Sequence, residues 1–199
     1  LYLYGGSRRQ NDLSIHLLLL LGSNGRKILV DTGPCDAEWG AKYHMPLNIP
    51  DGCEIVEVLR RDFDLAPGDL DYIINTHLHW DHSCGNHKFP GKKIYVQASE
   101  LEYALDPLPI HRATYESPQY GVVSSWMRAR DQLVTVDGDT EIDDGIRLIC
   151  YPVILTVSRV YWSPRRTARI CWQATASTCI RTGRATESSG TSSAGCIPM

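Results

Sequence analysis

Between Thr76 and His82 the chain reads Thr-His-Leu-His-Trp-Asp-His, which places three imidazoles and one carboxylate within positions 77–82. Imidazole and carboxylate are the ordinary ligands of a borderline-soft divalent ion such as zinc. The stretch directly follows Tyr72-Ile73-Ile74-Asn75, an apolar run with the composition of a strand. Side chains alternate along extended backbone, so His77 and His79 share one side while Leu78 and Trp80 take the other. A turn into helix near Asp81 brings that carboxylate and His82 towards the same cavity. The plainer alternative is a solvated histidine-rich turn. Four candidate ligands directly after a strand weigh against it.

The elements that must position this cluster are legible on both sides of it. Ile15 to Leu21 form an apolar run, Gly22-Ser23-Asn24-Gly25 a turn, and Lys27-Ile28-Leu29-Val30 a second apolar run. Asn-Gly between two such runs signals a β-hairpin. The second run ends in Asp31-Thr32-Gly33, a carboxylate at a strand end followed by a turn glycine. Residues 34–52 form a long loop rich in Pro and Gly, expected to wall a cleft because long loops in compact domains tend to be functional. Cys53 to Phe63 has helical spacing, with Ile55, Val56, Leu59 and Phe63 on one stripe. Pro67-Gly68 turns into the histidine-bearing strand. Beyond the cluster, Lys93 to Gln97 reads as a strand, and Ser99 as the cap of a short helix through Leu105. Residues 106–125 are irregular and are expected to form a lid. Gln132 to Val136 and Glu141 to Ile149 are expected to close as two strands around a turn at Gly138. This alternation predicts a layered α/β domain.

The whole chain bounds the function. Its 199 residues suffice for one domain with a sizeable core, or for one domain and a tail. A formal net charge of -3 and a pI near 6.2 argue against a nucleic-acid partner. No apolar run reaches the ~20 residues that span a bilayer, so a membrane role is not expected. A small-molecule substrate is. The start has neither Met nor the pattern of a signal peptide and reads as trimmed. The seven cysteines are odd in number, scattered and without Cys-x-x-Cys. They read as free thiols of a reducing, cytoplasmic compartment. Cys84 is expected to be a small packed side chain. The histidines at 16, 44, 87 and 111 read as surface or loop residues, since none has a spaced partner. Trp80 is expected to pack beneath the site. Tyr115 and Tyr120 are either pocket-lining or ordinary loop packing. The oligomeric state is not legible.

Taken together, Leu29-Val30-Asp31-Thr32-Gly33, a helix, and His77-Leu78-His79-Trp80-Asp81-His82 resemble the metallo-β-lactamase superfamily of metal-dependent hydrolases. The fuller run resembles its N-acyl homoserine lactonase branch. It extends from Lys27 through Gly85-Asn86 to Tyr95-Val96-Gln97 and Leu101-Glu102-Tyr103. The resemblance covers roughly residues 15–150. It implies an αββα sandwich with two metal ions, expected to be zinc, at one edge of the sheets. His77 and His79 would ligate the first ion, and Asp81 and His82 the second, with Asp31 behind them orienting a ligand. A simple turn carboxylate is an equal reading of Asp31. The implied reaction is the opening of a lactone, with a quorum-quenching role, by a metal-bound hydroxide. In it the metals supply the low-pKa water and polarise the carbonyl, and Asp81 is the catalytic carboxylate that orients the hydroxide or carries its proton.

The resemblance also implies a histidine in a Pro-Gly-His-Ser turn, a bridging aspartate in an Ala-Gly-Asp stretch and a last histidine further on. This sequence has none of them; its last histidine is His111. Composition shifts as well. Residues 1–150 carry 14 basic and 22 acidic residues (net -8), whereas residues 151–199 carry six arginines and one acid, Glu187 (net +5). Residues 1–150 are therefore read as the metallo-β-lactamase-like domain, the first part of the fold. Residues 151–199 are read as an aberrant or disordered Arg/Ser/Thr-rich tail that leaves the second half incomplete.

A reading-frame slip near Tyr151-Pro152 accounts for both observations. Val153-Ile154-Leu155-Thr156-Val157 can be encoded GTC ATT CTG ACG GTC. Read one base earlier, after a CCG proline codon, it gives Gly-His-Ser-Asp-Gly. The same shift at Ile170 to Ala176 allows Met-Leu-Ala-Gly-Asp-Cys. Each ion is then left with two of its own ligands here, where a catalytic zinc normally keeps three and a water. Weak metal binding and little turnover are expected. Within the superfamily the alternatives are a thioesterase resembling the hydroxyacylglutathione hydrolases, or a β-lactamase. Outside hydrolysis, iron at the cluster would permit oxygen-dependent sulfur chemistry, with manganese a further candidate metal. The non-catalytic alternative is a defective product or a binding module.

Overall fold

The computed structural model describes residues 16–22, 24–47 and 49–152, together with the backbone strands at 156–162, 168–174 and 197–198. The first 15 residues, Ser23 and Asn48 lie outside the described residues. So does most of the stretch read as frame-shifted, including Val153-Ile154-Leu155.

The expected hairpin forms. Strand β1 (His16–Gly22) pairs antiparallel with β2 (Lys27–Val30), Leu18 opposite Val30 and Leu20 opposite Ile28. From β2 the sheet continues in parallel through β3 (Tyr72–Ile74), β4 (Ile94–Gln97) and β5 (Leu133–Val136). On the other side β1 pairs with the backbone of β9 (Ala168–Ala174), and β9 with β10 (Ile197–Pro198). A second, antiparallel sheet consists of β6 (Thr140–Asp143), β7 (Ile146–Pro152) and β8 (Thr156–Trp162).

Alternation along the strands makes the layers. Leu17 and Leu19 of β1, Leu29 of β2 and Ile73 of β3 face one way, onto Ile55 and Leu59 of helix α2 (Ile55–Phe63). Leu20, Ile28, Val30, Tyr72 and Ile74 face the other way, onto Ile146 and Leu148 of the second sheet. A strand covered on both faces reads as a continuous apolar run, which is why β2 and β3 carry almost no polar residue. The α2 stripe buries Ile55, Val58 and Leu59, with Val56 and Phe63 partly buried beside them. Each fully buried aliphatic chain there contributes about 1.5–3 kcal/mol. The layers described run helix, sheet, sheet, three of the four of an αββα sandwich.

Four local expectations fail for identifiable reasons. Residues 34–52 are not a plain loop: they contain helix α1 (Ala37–Tyr43), whose N-cap Asp36 accepts a hydrogen bond from Trp39 N at 2.7 Å. The strands flanking Gly138 do not pair with each other. β5 joins the first sheet and β6 the second, so Gly138 (φ 63°) turns the chain from one sheet to the other. The run Glu141 to Ile149 is itself a hairpin, broken where Gly145 takes φ 77°. Ser99 caps nothing. Helix α4 (Ala98–Leu105) begins one residue earlier behind Gln97, whose amide instead donates to Gly138 O at 2.9 Å.

Candidate functional site

Parallel strands β2 and β3 lie side by side, so their carboxyl ends open into one crevice, the usual position of a site in such sheets. Asp31 follows the last residue of β2, and Asn75 to His79 follow β3. The chain then enters the short helix α3 (Trp80–Ser83), which carries Asp81 and His82. Leu78 and Trp80 are buried at 0% and 5% exposure, on the side opposite the imidazoles as the alternation predicts. Trp80 does pack beneath the site.

Asp31 is the hub. Its backbone sits at φ 60°, a left-handed conformation that Asp tolerates better than most residues but that still costs of order 1 kcal/mol. In return its carboxylate is aimed inward. Oδ1 accepts from Thr76 N at 2.8 Å, and Oδ2 accepts from Thr76 Oγ1 at 2.7 Å. His82 Nδ1 lies 2.8 Å from the same Oδ2. A carboxylate can only accept, so His82 Nδ1 carries a proton. The single Thr76 hydroxyl proton goes to Asp31, so Thr76 Oγ1 receives its 3.0 Å contact from His77 Nδ1–H. One carboxylate thereby holds a proton on Nδ1 of both imidazoles and leaves Nε2 as the atom to face a metal, on His82 once a metal displaces its second proton.

The electrostatics follow from burial and these partners. Burial first, then the neighbouring imidazoles, push His77 down to about 4 and His79 to about 2; both are neutral at pH 7 and carry free lone pairs. His82 is also desolvated, but the facing Asp31 carboxylate, with Asp81 beyond, lifts it to about 9. Burial works against ionisation of Asp31, yet His82, His77 and Thr76 hold its carboxyl below the ordinary range. The His77 ring lies 4.5 Å from that of His79 and 4.0 Å from that of His82, centroid to centroid. Asp81 Oδ2 is 3.8 Å from His82 Nε2. His79 Nε2 is buried without a hydrogen-bond partner.

A buried imidazole nitrogen with an unused lone pair, beside a second neutral imidazole and a carboxylate-backed third, fits a divalent metal in its chemistry. The set is not a closed cage. Among the described residues no group of three or more His, Cys, Asp and Glu side chains is arranged to hold an ion.

The backbone around α3 is held by residues whose roles the sequence did not disclose. Thr32 N and Gly33 N donate to His82 O at 2.8 and 3.2 Å. Gly85 passes so close to β2 that a Cβ there would lie 2.4 Å from Thr32 O. Thr32 Oγ1 donates to Asn86 Oδ1, and Asn86 Nδ2 to Asn75 Oδ1, each at 2.8 Å. Cys84, two residues beyond His82, is fully buried. It is joined to Cys35 as a disulfide (Cα–Cα 4.8 Å), so the expectation of free thiols throughout fails at this pair, because the close approach at Gly85 brings the two turns together.

Within residues 106–125, expected as a lid, the middle is packed and not open. Tyr115, Glu116 and Ser117 are buried, and the segment braces α3 from below, with Trp80 N donating to Thr114 O at 3.0 Å. Glu116 accepts from Trp39 Nε1 at 2.5 Å, His44 Nε2 at 2.7 Å and Ser125 N at 2.7 Å. His44 is no surface histidine either. Its ring stacks on Trp80, 4.1 Å away and 3° from parallel. Tyr120 is exposed, and Tyr115 packs its ring against His79 at 4.5 Å.

Comparison with known proteins converges on one family. Residues 12–153 match the model of the metallo-beta-lactamase superfamily. The N-acyl homoserine lactonase of Bacillus thuringiensis is 35% identical over 98 residues, 49% of this chain and 34% of that protein. The N-acyl homoserine lactonase AttM of Agrobacterium fabrum is 33% identical over 91 residues, 43% of this chain and 32% of its own length. The chain thus spans about a third of the length of the curated relatives it matches. Among solved structures, an N-acyl homoserine lactone hydrolase with N-hexanoyl-L-homoserine at its catalytic metal center superposes with a TM-score of 0.54 at 25% identity, over 77% of this chain and 56% of that one. A quorum-quenching N-acyl homoserine lactone lactonase gives 0.53 at 27% identity, over 77% and 54%. With its matching β2 end, its histidine turn and its layered fold, this chain belongs to the metallo-beta-lactamase superfamily.

Proposed function

We propose that the chain carries the metal-binding half of a lactone-opening active site of the N-acyl homoserine lactonase type. The observation that supports this most is the Asp31 hub, which presents Nε2 of both His77 and His82 towards one crevice. His77 and His79 would hold one zinc ion, and Asp81 and His82 a second. Bound there, the ions would supply an activated water and polarise the lactone carbonyl. The chain's own residues do the remainder. Asp31 and Thr76 keep the two imidazoles in the ligating tautomer, and the packed underside of Leu78 and Trp80 keeps bulk water from the histidine turn. Asp81, partly exposed beside His82, is placed to take a proton and pass it towards the leaving alcohol.

Two ligands per ion are fewer than a catalytic zinc keeps. We propose accordingly that the frame slips near codon 152, that residues 151–199 do not supply the missing ligands, and that this chain binds zinc weakly and turns over slowly. Sequencing the gene across codons 145–199 tests the slip, which fails if no single-base change there restores Pro-Gly-His-Ser and Ala-Gly-Asp. The reaction is tested on acyl homoserine lactones, a glutathione thioester and a chromogenic cephalosporin in parallel. The frame-restored chain is expected to open the lactones, and preference for the thioester or the cephalosporin would contradict the lactonase reading. Elemental analysis for zinc against iron separates hydrolysis from oxygen-dependent chemistry.

A further inference from the structure

Beneath the histidine turn lies a pair of polar side chains that the chemistry above does not use. Glu100, in the first turn of α4, is fully buried. Its Oε1 accepts from Leu78 N at 2.8 Å, the backbone amide between His77 and His79. The turn there has left the strand ladder, so no neighbouring strand serves that N–H, and a buried donor without a partner is costly. The second oxygen, Oε2, and the Tyr115 hydroxyl are both buried without a hydrogen-bond partner. The two groups face one another, and burial raises the pKa of each. Tyr115 in turn sets its ring edge against His79, 4.5 Å between centroids. Leu78, Tyr115, Val96 and Ala104 form one apolar cluster, so Glu100 holds the backbone while Tyr115 packs against the ring.

We propose that Glu100 is a positioning residue. Its carboxyl pins the Leu78 amide and, through Tyr115, fixes the presentation of His77 and His79 to a metal. The proposal rests on reading those two histidines as ligands. The first readout is therefore taken on metal-free protein, which separates the two. Amide hydrogen exchange at Leu78 and the imidazole shifts of His79 are measured by NMR in the parent chain, Glu100→Ala and Glu100→Gln, followed by zinc affinity from chelator competition. Gln keeps an acceptor for Leu78 N and a group for Tyr115 but removes the charge.

For Glu100→Ala, exchange at Leu78 is expected to rise by roughly tenfold or more, the His79 shifts to move, and zinc affinity to fall about 10–100-fold. Glu100→Gln is expected to stay within about threefold of the parent in all three. Unchanged exchange and shifts in Glu100→Ala would overturn the proposal, and so would losses in Glu100→Gln equal to those in Glu100→Ala, which would mean that charge and not position matters. If Glu100→Ala does not fold, Glu100→Gln decides alone: parent-like exchange supports the proposal and tenfold acceleration overturns it. A parent chain that binds no zinc, while Leu78 protection still follows residue 100, sinks the metal reading and leaves the positioning role standing.

Discussion

Replacing Asp31 by Asn in metal-free protein isolates the hub on which the site's geometry depends. In the parent, His82 is lifted from 6.5 to about 9, mainly by Asp31 acting against burial. That difference of about 2.5 units corresponds to about 3 kcal/mol of preferential stabilisation of the charged pair. His82 has its folded pKa raised, so this contribution is complete below pH 6.5 and is lost as pH rises through 9. Asp31 has its pKa lowered from 3.8, so the same pair is also lost in acid below that value. The full effect therefore falls between about pH 4 and 6.5. Asn keeps the shape but not the charge. In Asp31→Asn the burial of His82 goes uncompensated and its pKa falls. At about 2–4 °C per kcal/mol for a chain of this size, the variant should melt roughly 6–12 °C below the parent at pH 5.5. The gap should shrink towards the roughly 1 kcal/mol worth of neutral hydrogen bonds at pH 9.5. The assay is thermal unfolding of chelator-stripped protein across that range. A gap that does not change with pH, or a parent His82 titrating near its ordinary value by NMR, would refute the reasoning.

Three further outcomes follow from the packing. Gly85→Ala puts a methyl 2.4 Å from the Thr32 carbonyl oxygen, backbone against side chain with no flexible group to yield, so about 1–3 kcal/mol of stability should be lost on denaturant unfolding. Parent-like stability would show that the approach is looser. Glu116→Ala strands Trp39 Nε1, His44 Nε2 and Ser125 N, at about 1–3 kcal/mol for each buried donor left unpaired. It should also release His44 from Trp80, visible as a change in tryptophan fluorescence. Mass analysis of unreduced peptides should find Cys35 linked to Cys84. Replacing both by Ser should lower stability by up to about 4 kcal/mol for a loop of 49 residues, whereas equal stability under oxidising conditions would count against the link.

How far the sequence could be read depended on whether the cause was local. Strand β2 was legible at both ends because Asn24-Gly25 sets its start and Asp31-Thr32-Gly33 its end, and no competing signal lies between. Helix α2 was legible from its spacing, and Trp80 from simple alternation. The histidine turn announced itself by residue type. Its support did not, because Glu100 meets Leu78 across 22 positions, and Glu116 meets Trp39 across 77. In sequence both are ordinary acids, one in a helix and one in an irregular stretch. Residues 106–125 looked like a lid because prolines and an absent period resemble exposure, yet the part around Thr114 to Ser117 packs against α3. Gly138 looked like a hairpin turn because local glycine chemistry is the same whether the chain returns to its own sheet or leaves for another. The Asp31 carboxylate was equally readable as a turn residue, and only its three partners distinguish the two.

The central claim, that His77, His79, Asp81 and His82 form a metal site backed by Asp31, is met most directly by zinc titration of the purified chain against His77→Ala/His79→Ala under chelator competition. The expected result is zinc bound weakly by the parent, released by a mild chelator, and lost from the double variant. Equal zinc uptake by both proteins would contradict it, as would two tightly held ions in a chain that lacks the later ligands.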